Sequence, residues 1–101
     1  MVRKSFSEAQ YKFLQTLIGM SGGTRLIDRE DWMGTPAWER ERCVEAMGPM
    51  RTHWPFGVED LNRLEDMLTR CLRHYEDGQL DAGDYLVRDI EELLYLVRQK
   101  R

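Results

Sequence analysis

The hydrophobic positions of this chain recur at helical spacing and do not alternate as in a β-strand. Between residues 58 and 76 the apolar side chains are three or four residues apart, at Leu61, Leu64, Leu68, Cys71 and Tyr75. This spacing places them on one face of a helix. A half-buried strand would require alternating apolar and polar positions, and this segment has none. The pattern therefore predicts an amphipathic helix over residues 58–76.

A turn and a second helix are predicted directly afterwards. Gly78 can adopt the left-handed conformation that often ends a helix. Asp81 is expected to cap the next helix, with Leu80 and Tyr85 forming a hydrophobic staple around it. That helix is predicted over residues 82–98. Because the turn is short, the two helices should pack as an antiparallel hairpin.

The last predicted helix has an unusually wide apolar face. Its members are Leu86, Ile90, Leu93 and Val97, with Val87 and Leu94 on one side and Tyr85 and Leu96 on the other. A face this wide usually packs against more than one neighbour. We expect the second neighbour to be the N-terminal half of the chain or a second copy, which would make the protein a homodimer.

The N-terminal half predicts two more helices. Ser5 and Glu8 fit a capping box, and a helical apolar stripe over residues 6–20 follows them. Pro36 suits the first turn of another helix over residues 36–47. Gly48-Pro49 is expected to break or kink the chain there. The fold class is therefore all-α: a small four-helix domain spanning residues 1–101, with a C-terminal antiparallel helical hairpin.

The segment after Gly48-Pro49 is expected to be a connector up to residue 57. Pro55 favours an extended conformation at Trp54. Connectors of this kind usually lie over the hydrophobic core and are fixed there by their aromatic side chains. Trp54 and Phe56 would have this structural role here.

Composition limits the setting of the protein. Of the 101 residues, 42% are hydrophobic and 33% are charged, which is too apolar and too patterned for a disordered chain. No apolar run approaches the roughly 20 residues of a membrane span, and the N-terminus lacks the apolar region of a signal peptide. We therefore expect a cytoplasmic protein without membrane contact. Cys43 and Cys71 are expected to be free, buried thiols.

The charge is unevenly distributed, although the net charge is only −3. From Glu59 to Glu92 there are eleven acidic residues and four arginines, a net charge of −7. A solvated helical surface is the usual interpretation of such a segment. The alternative is a surface that binds a basic partner or imitates nucleic acid. Direct binding to nucleic acid is not expected from this charge balance.

No motif predicts catalysis, a cofactor or a metal. Cys43, His53, Cys71 and His74 lack the paired spacings of a structural zinc site. The segment from Arg88 to Leu96 resembles the first helix of small all-helical chorismate mutases, which carry arginines beside an I-x-x-L-L-x-L pattern. This resemblance would imply a small all-helical enzyme. Here the segment lies in the last predicted helix, so the other helices of such a site do not follow it.

Bulky aromatic and methionine side chains are concentrated in the less regular middle of the sequence. They are typical of protein interfaces. We expect a partner-binding surface that includes some of Trp32, Met33, Trp38, Met50, Trp54 and Phe56. The expected function is a regulatory, non-enzymatic module that binds and inhibits a larger protein, for example an antiactivator of a transcription factor. An acidic inhibitor of a nucleic-acid-binding enzyme, from a phage or its host, is the alternative.

Overall fold

Four α-helices make up the regular structure of the described residues. The computed structural model describes residues 4–23 and 36–99, and within these ranges no strand occurs. The helices are α1 (Lys4–Gly23), α2 (Pro36–Thr52), α3 (Val58–Glu76) and α4 (Leu80–Gln99). The all-α class and the C-terminal antiparallel hairpin are confirmed.

The helices are arranged as two antiparallel pairs. α1 packs mainly against α2, and α3 mainly against α4; α1 also contacts α4, and α2 contacts α3 over a shorter length. The Thr16 side chain lies beside the thiol of Cys43. The ring of Phe6 contacts Trp54, just beyond the end of α2. These two contacts give α1 and α2 opposite directions. The molecule measures 43 × 24 × 16 Å along its principal axes.

The core contains the apolar stripes that the sequence predicts. It holds Phe6, Ala9, Phe13, Leu17 and Met20 from α1, Cys43, Met47 and Met50 from α2, Leu64, Leu68, Cys71 and Tyr75 from α3, and Val87, Ile90, Leu93, Leu94 and Val97 from α4. Its contiguous burial is the main stabilising contribution of the fold. The wide face of α4 packs against α3 and also against α1, whereas Tyr85 and Leu96 remain exposed.

The turn between α3 and α4 is a Schellman motif. Gly78 has φ +78°, as predicted. Its N–H donates to the carbonyl of Tyr75 at 3.1 Å, and the N–H of Gln79 donates to the carbonyl of His74 at 2.8 Å. These bonds satisfy two carbonyls that the end of α3 would otherwise leave unpaired. The chain therefore reverses within three residues, which sets the antiparallel packing of the hairpin.

The predicted start of α4 is two residues too late. The N–H of Gly83 already donates to the carbonyl of Gln79 at 3.1 Å, so the helix begins at Leu80. Asp81 is consequently in the first turn and is not the N-cap, and Leu80 and Tyr85 are not in staple positions. At the N-terminal end of the chain, Ser5 similarly lies inside α1 and does not precede it.

The predicted end of α2 near Met47 is wrong. α2 continues through Pro49 to Thr52, and the N–H of His53 donates to the carbonyl of Pro49 at 3.0 Å. A proline inside a helix costs about 3 kcal/mol. Met50 lies completely buried in the last turn of α2, and burial of such a side chain contributes about 1.5–3 kcal/mol. Packing of Met50 thus offsets most of the cost, and the connector shortens to residues 53–57.

Candidate functional site

The aromatic residues of the connector form an internal cluster with α1. The rings of Trp54 and Phe56 each lie edge-to-face against Phe6, with centroid distances of 5.7 and 5.4 Å. Trp54 and Phe56 also contact each other at 5.2 Å. The indole N–H of Trp54 donates to the carbonyl of Gly57 at 3.0 Å. This geometry confirms that the connector lies over the core and is fixed there by its aromatic side chains.

The residues predicted to bind a partner do not form one described surface. Met50 is completely buried, so its side chain is not available at the surface of this fold. Trp54 and Phe56 are half-buried and packed against the core. Trp32 and Met33 lie outside the described residues, as does the side chain of Trp38. The prediction for Trp32, Met33 and Trp38 therefore stays a prediction, and the surface that the structure does describe consists of other side chains.

A different set of large side chains is exposed along α1 and α4. Tyr11 is 64% exposed and Ile18 is 56% exposed, two turns apart on α1, and Tyr95 on α4 is 58% exposed. Ile18 lines a shallow depression of about 190 Å³ with Arg88 and Glu91 of α4. Tyr95 continues the same helical stripe as Arg88 and Glu91. We name this surface the α1–α4 face; it consists of Tyr11, Leu14, Ile18, Arg88, Glu91 and Tyr95.

The α1–α4 face is not apparent in the sequence because the stronger apolar stripe of α1 dominates the pattern. Tyr11, Leu14 and Ile18 follow each other at spacings of three and four residues, which is itself a helical stripe. It lies beside the core stripe on α1. The spacing of these residues is therefore visible in the sequence, but it cannot be distinguished there from a wider core face.

The carboxylate of Asp84, beside this face, forms hydrogen bonds that connect three helices. Asp84 of α4 accepts a hydrogen bond from the Ser21 hydroxyl of α1 at 2.7 Å and one from the Tyr75 hydroxyl of α3 at 2.5 Å. Burial, followed by the hydrogen bond to Asp84, raises the pKa of Tyr75 well above its usual range. The tyrosine therefore stays a donor, and the contact fixes how α1 sits on the hairpin.

The two thiols are free and buried, as predicted. Burial raises the pKa of Cys43 from 9.0 to about 11 and that of Cys71 from 9.0 to about 12. The thiol of Cys71 also donates to the carbonyl of Gly83 at 3.4 Å. Nucleophilic and metal-binding cysteines act as thiolates, so these two protonated thiols are suited to packing. Among the described residues no group of three His, Cys, Asp or Glu side chains converges to hold a metal ion.

Two grooves run between neighbouring helices. The groove between α1 and α2 has a volume of about 540 Å³ and mixes Lys12, Arg42 and Glu45 with small residues. The groove between α2 and α3 has a volume of about 410 Å³ and is named here the α2–α3 groove; its lining is Arg40, Glu41, Val44, Glu45, Leu72 and Glu76. Both are open to solvent and could accept side chains of a partner.

None of the described helices combines the length and the apolar character needed to cross a membrane. Comparisons of the chain with protein-family models, with characterised proteins and with solved structures found no match. The side chains of the described residues are therefore the basis for assigning a function.

Proposed function

We propose that this protein is a non-enzymatic regulatory module that binds a larger cytoplasmic protein through the α1–α4 face. The observation that carries the proposal is the exposure of Tyr11, Ile18 and Tyr95 on adjacent helices. Single exposed apolar side chains are normal on a protein surface. Several on one face, with half-buried Leu14 among them, form the kind of apolar patch that marks an interaction site.

The composition and the rigidity of this face both favour protein binding. Tyrosine is enriched at interfaces because its ring provides apolar area while its hydroxyl remains hydrogen-bonded. Arg88 and Glu91 supply charged groups beside the aromatic residues. The hydrogen bond from Ser21 to Asp84 holds α1 against α4, so little conformational freedom would be lost on binding. The proposed form of regulation is that the protein inhibits its partner, as an antiactivator inhibits a transcription factor.

An acidic inhibitor of a nucleic-acid-binding enzyme is the second candidate. None of the eleven acidic residues between Glu59 and Glu92 is buried, and eight of them are exposed. An exposed acidic surface can compete for a basic nucleic-acid site. A small all-helical enzyme is the remaining alternative, and no feature of the described residues favours it.

Site-specific photo-crosslinking tests the proposed face. A photoreactive phenylalanine analogue is placed at Tyr11 or Tyr95, and at exposed Arg63 of α3 as the control, in cells that naturally make the protein. We expect one discrete adduct with a larger protein from the Tyr11 and Tyr95 positions and none from Arg63. Equal labelling from all three positions, or labelling from Arg63 alone, would reject the α1–α4 face.

Homodimerisation is proposed separately, through exposed Tyr85 and Leu96 of α4. Sedimentation equilibrium of the wild type and of a Tyr85→Ser/Leu96→Ser variant measures it. The proposal requires a dimer for the wild type and a monomer for the variant. A monomeric wild type at high protein concentration would exclude it.

A further inference from the structure

The α2–α3 groove combines an apolar floor with an acidic rim. Val44 of α2 is 53% exposed although it lies in the middle of a helix, and Leu72 of α3 is half-buried opposite it. Glu41, Glu45 and Glu76 line the same groove. A surface valine beside a leucine, surrounded by carboxylates, offers both hydrophobic contact and charge to a partner.

The carboxylates of the rim are not neutralised within the fold. Two ion pairs among the described residues are those of Arg51 with Glu65 and of Arg70 with Asp66. Neither pair involves a rim carboxylate. Among the described residues that line the groove, Arg40 is the single cation, so together they carry a net charge of −2. Glu65, nearer the start of α3, differs from the rim carboxylates because it forms an ion pair with Arg51 at 2.5 Å.

We infer that the α2–α3 groove binds a basic amphipathic segment of another protein. An aliphatic side chain of that segment contacts Val44 and Leu72, and its lysines or arginines pair with Glu41, Glu45 and Glu76. This inference shares with the proposed function the assumption that the partner is a protein. It is otherwise independent, because the groove is a different surface from the α1–α4 face. The volume of about 410 Å³ accommodates a few side chains, which fits one turn of a helix or a short extended segment.

Charge distinguishes this occupant from the others that could cover an apolar groove. A symmetric dimer through this groove would place the three carboxylates of one copy against those of the other, which is unfavourable. Nucleic acid is repelled by the same net negative charge. Of these occupants, only a basic amphipathic segment makes hydrophobic contact with the floor and also pairs with the carboxylates of the rim.

Selection of peptides tests the inference even though the natural partner is unidentified. Random peptides displayed on phage are selected on the wild-type protein. They are then measured against a Glu41→Gln/Glu45→Gln/Glu76→Gln variant. The control variant, Asp81→Asn/Asp89→Asn/Glu92→Gln on α4, changes the net charge by the same amount. All six positions are exposed, so both variants should retain the fold, which circular dichroism checks.

We expect the selected peptides to carry net positive charge and at least one aliphatic residue. Their affinity should fall about tenfold in the groove variant, remain unchanged in the α4 variant, and decrease with added salt. Neutral or acidic peptides, equal losses in both variants, or no enrichment at all would overturn the inference.

Methyl chemical shifts then locate the bound peptide. The peptide should shift the methyl signals of Val44 and Leu72 and leave those of Ile18 in place. Val44→Ser should weaken binding, whereas Val58→Ser, a matched exposed valine outside the groove, should not. Shifts at Ile18 alone would reject the groove and support the α1–α4 face. Groove binding without crosslinks from Tyr11 and Tyr95 would reject the proposed function and leave this inference standing.

Discussion

The ring of Tyr75 lies directly against the backbone of Gly83. A Cβ atom at position 83 would be 2.6 Å from Cε1 of Tyr75 and 2.7 Å from its Cζ. The absence of a side chain at Gly83 therefore lets α4 approach α3 closely at this point. The approach brings the Tyr75 hydroxyl to Asp84 and the Cys71 thiol to the Gly83 carbonyl.

Gly83→Ala should lower the free energy of unfolding by about 1–3 kcal/mol, because the added methyl overpacks against the buried Tyr75 ring. This would be observed although alanine is the better helix former. Gly19→Ala is the matched control, since α1 leaves open space around that position. It should raise the free energy of unfolding by about 0.5–1 kcal/mol. Urea denaturation measures both, and an unchanged or increased stability of Gly83→Ala would contradict the close approach.

The buried thiols predict a loss of stability in alkaline solution. Burial keeps Cys43 and Cys71 protonated in the folded protein up to pH values of about 11 and about 12, whereas in the unfolded chain they ionise near their ordinary pKa of 9.0. Their contribution is therefore complete below pH 9 and is lost as the pH rises from there towards the folded pKa values. Between these limits the free energy of unfolding should fall by up to about 1.4 kcal/mol per pH unit for each thiol.

Urea denaturation at successive pH values measures this slope. Cys43→Ala should reduce the slope just above pH 9 by about half, since one of two equivalent proton-releasing groups is removed. The slopes are compared rather than the absolute stabilities, because the substitution also changes core packing. A slope that Cys43→Ala does not alter would show that the thiol is not shielded from water in the folded state.

Pro49→Ala should stabilise the protein. An alanine at this position restores the N–H that can donate to the carbonyl of Glu45 inside α2. We expect a gain of about 1–3 kcal/mol in the free energy of unfolding, partly offset by the greater freedom of the unfolded chain. Pro55→Ala is the control, since Pro55 lies in the connector outside the helices. It should be neutral or slightly destabilising, and a similar gain from both substitutions would argue against a helical Pro49.

Trp54 should matter for stability rather than for partner binding. Trp54→Ala removes the contacts with Phe6 and Phe56 and should cost about 2–4 kcal/mol. Trp54→Phe keeps a ring but loses the hydrogen bond to Gly57, and should cost about 1 kcal/mol. Thermal unfolding measures both variants. Full stability of Trp54→Ala would instead make Trp54 a candidate contact residue again.

The helical stripes and the turn at Gly78 could be read from the sequence because they depend on local properties. Spacing alone places Leu64, Leu68 and Cys71 on one face, and glycine alone among the residues of the turn adopts φ +78° without strain. These features belong to each segment and do not depend on its neighbours. The antiparallel packing of α3 and α4 could be predicted from these local features.

The course of α2 and the exposed surfaces could not be read in the same way. Whether α2 continues beyond Pro49 depends on the burial of Met50 by other helices, which a local pattern does not contain. Trp54 suggested an interface by its residue type, but its contact with Phe6 is made across nearly fifty residues of sequence. Ile18 and Arg88 line one depression only because α1 packs against α4. Tertiary packing decided each of these cases.

In the part of the chain that the structure describes, five sulfur-containing side chains are almost fully shielded from solvent, namely Met20, Cys43, Met47, Met50 and Cys71. Conversion of a thioether to its sulfoxide makes an apolar group polar, and the attacking peroxide must first reach it. Half-buried Met67 is more accessible to such a reagent in the intact molecule. The oxidation rate of buried Met20, Met47 and Met50 therefore reports how often the folded protein opens.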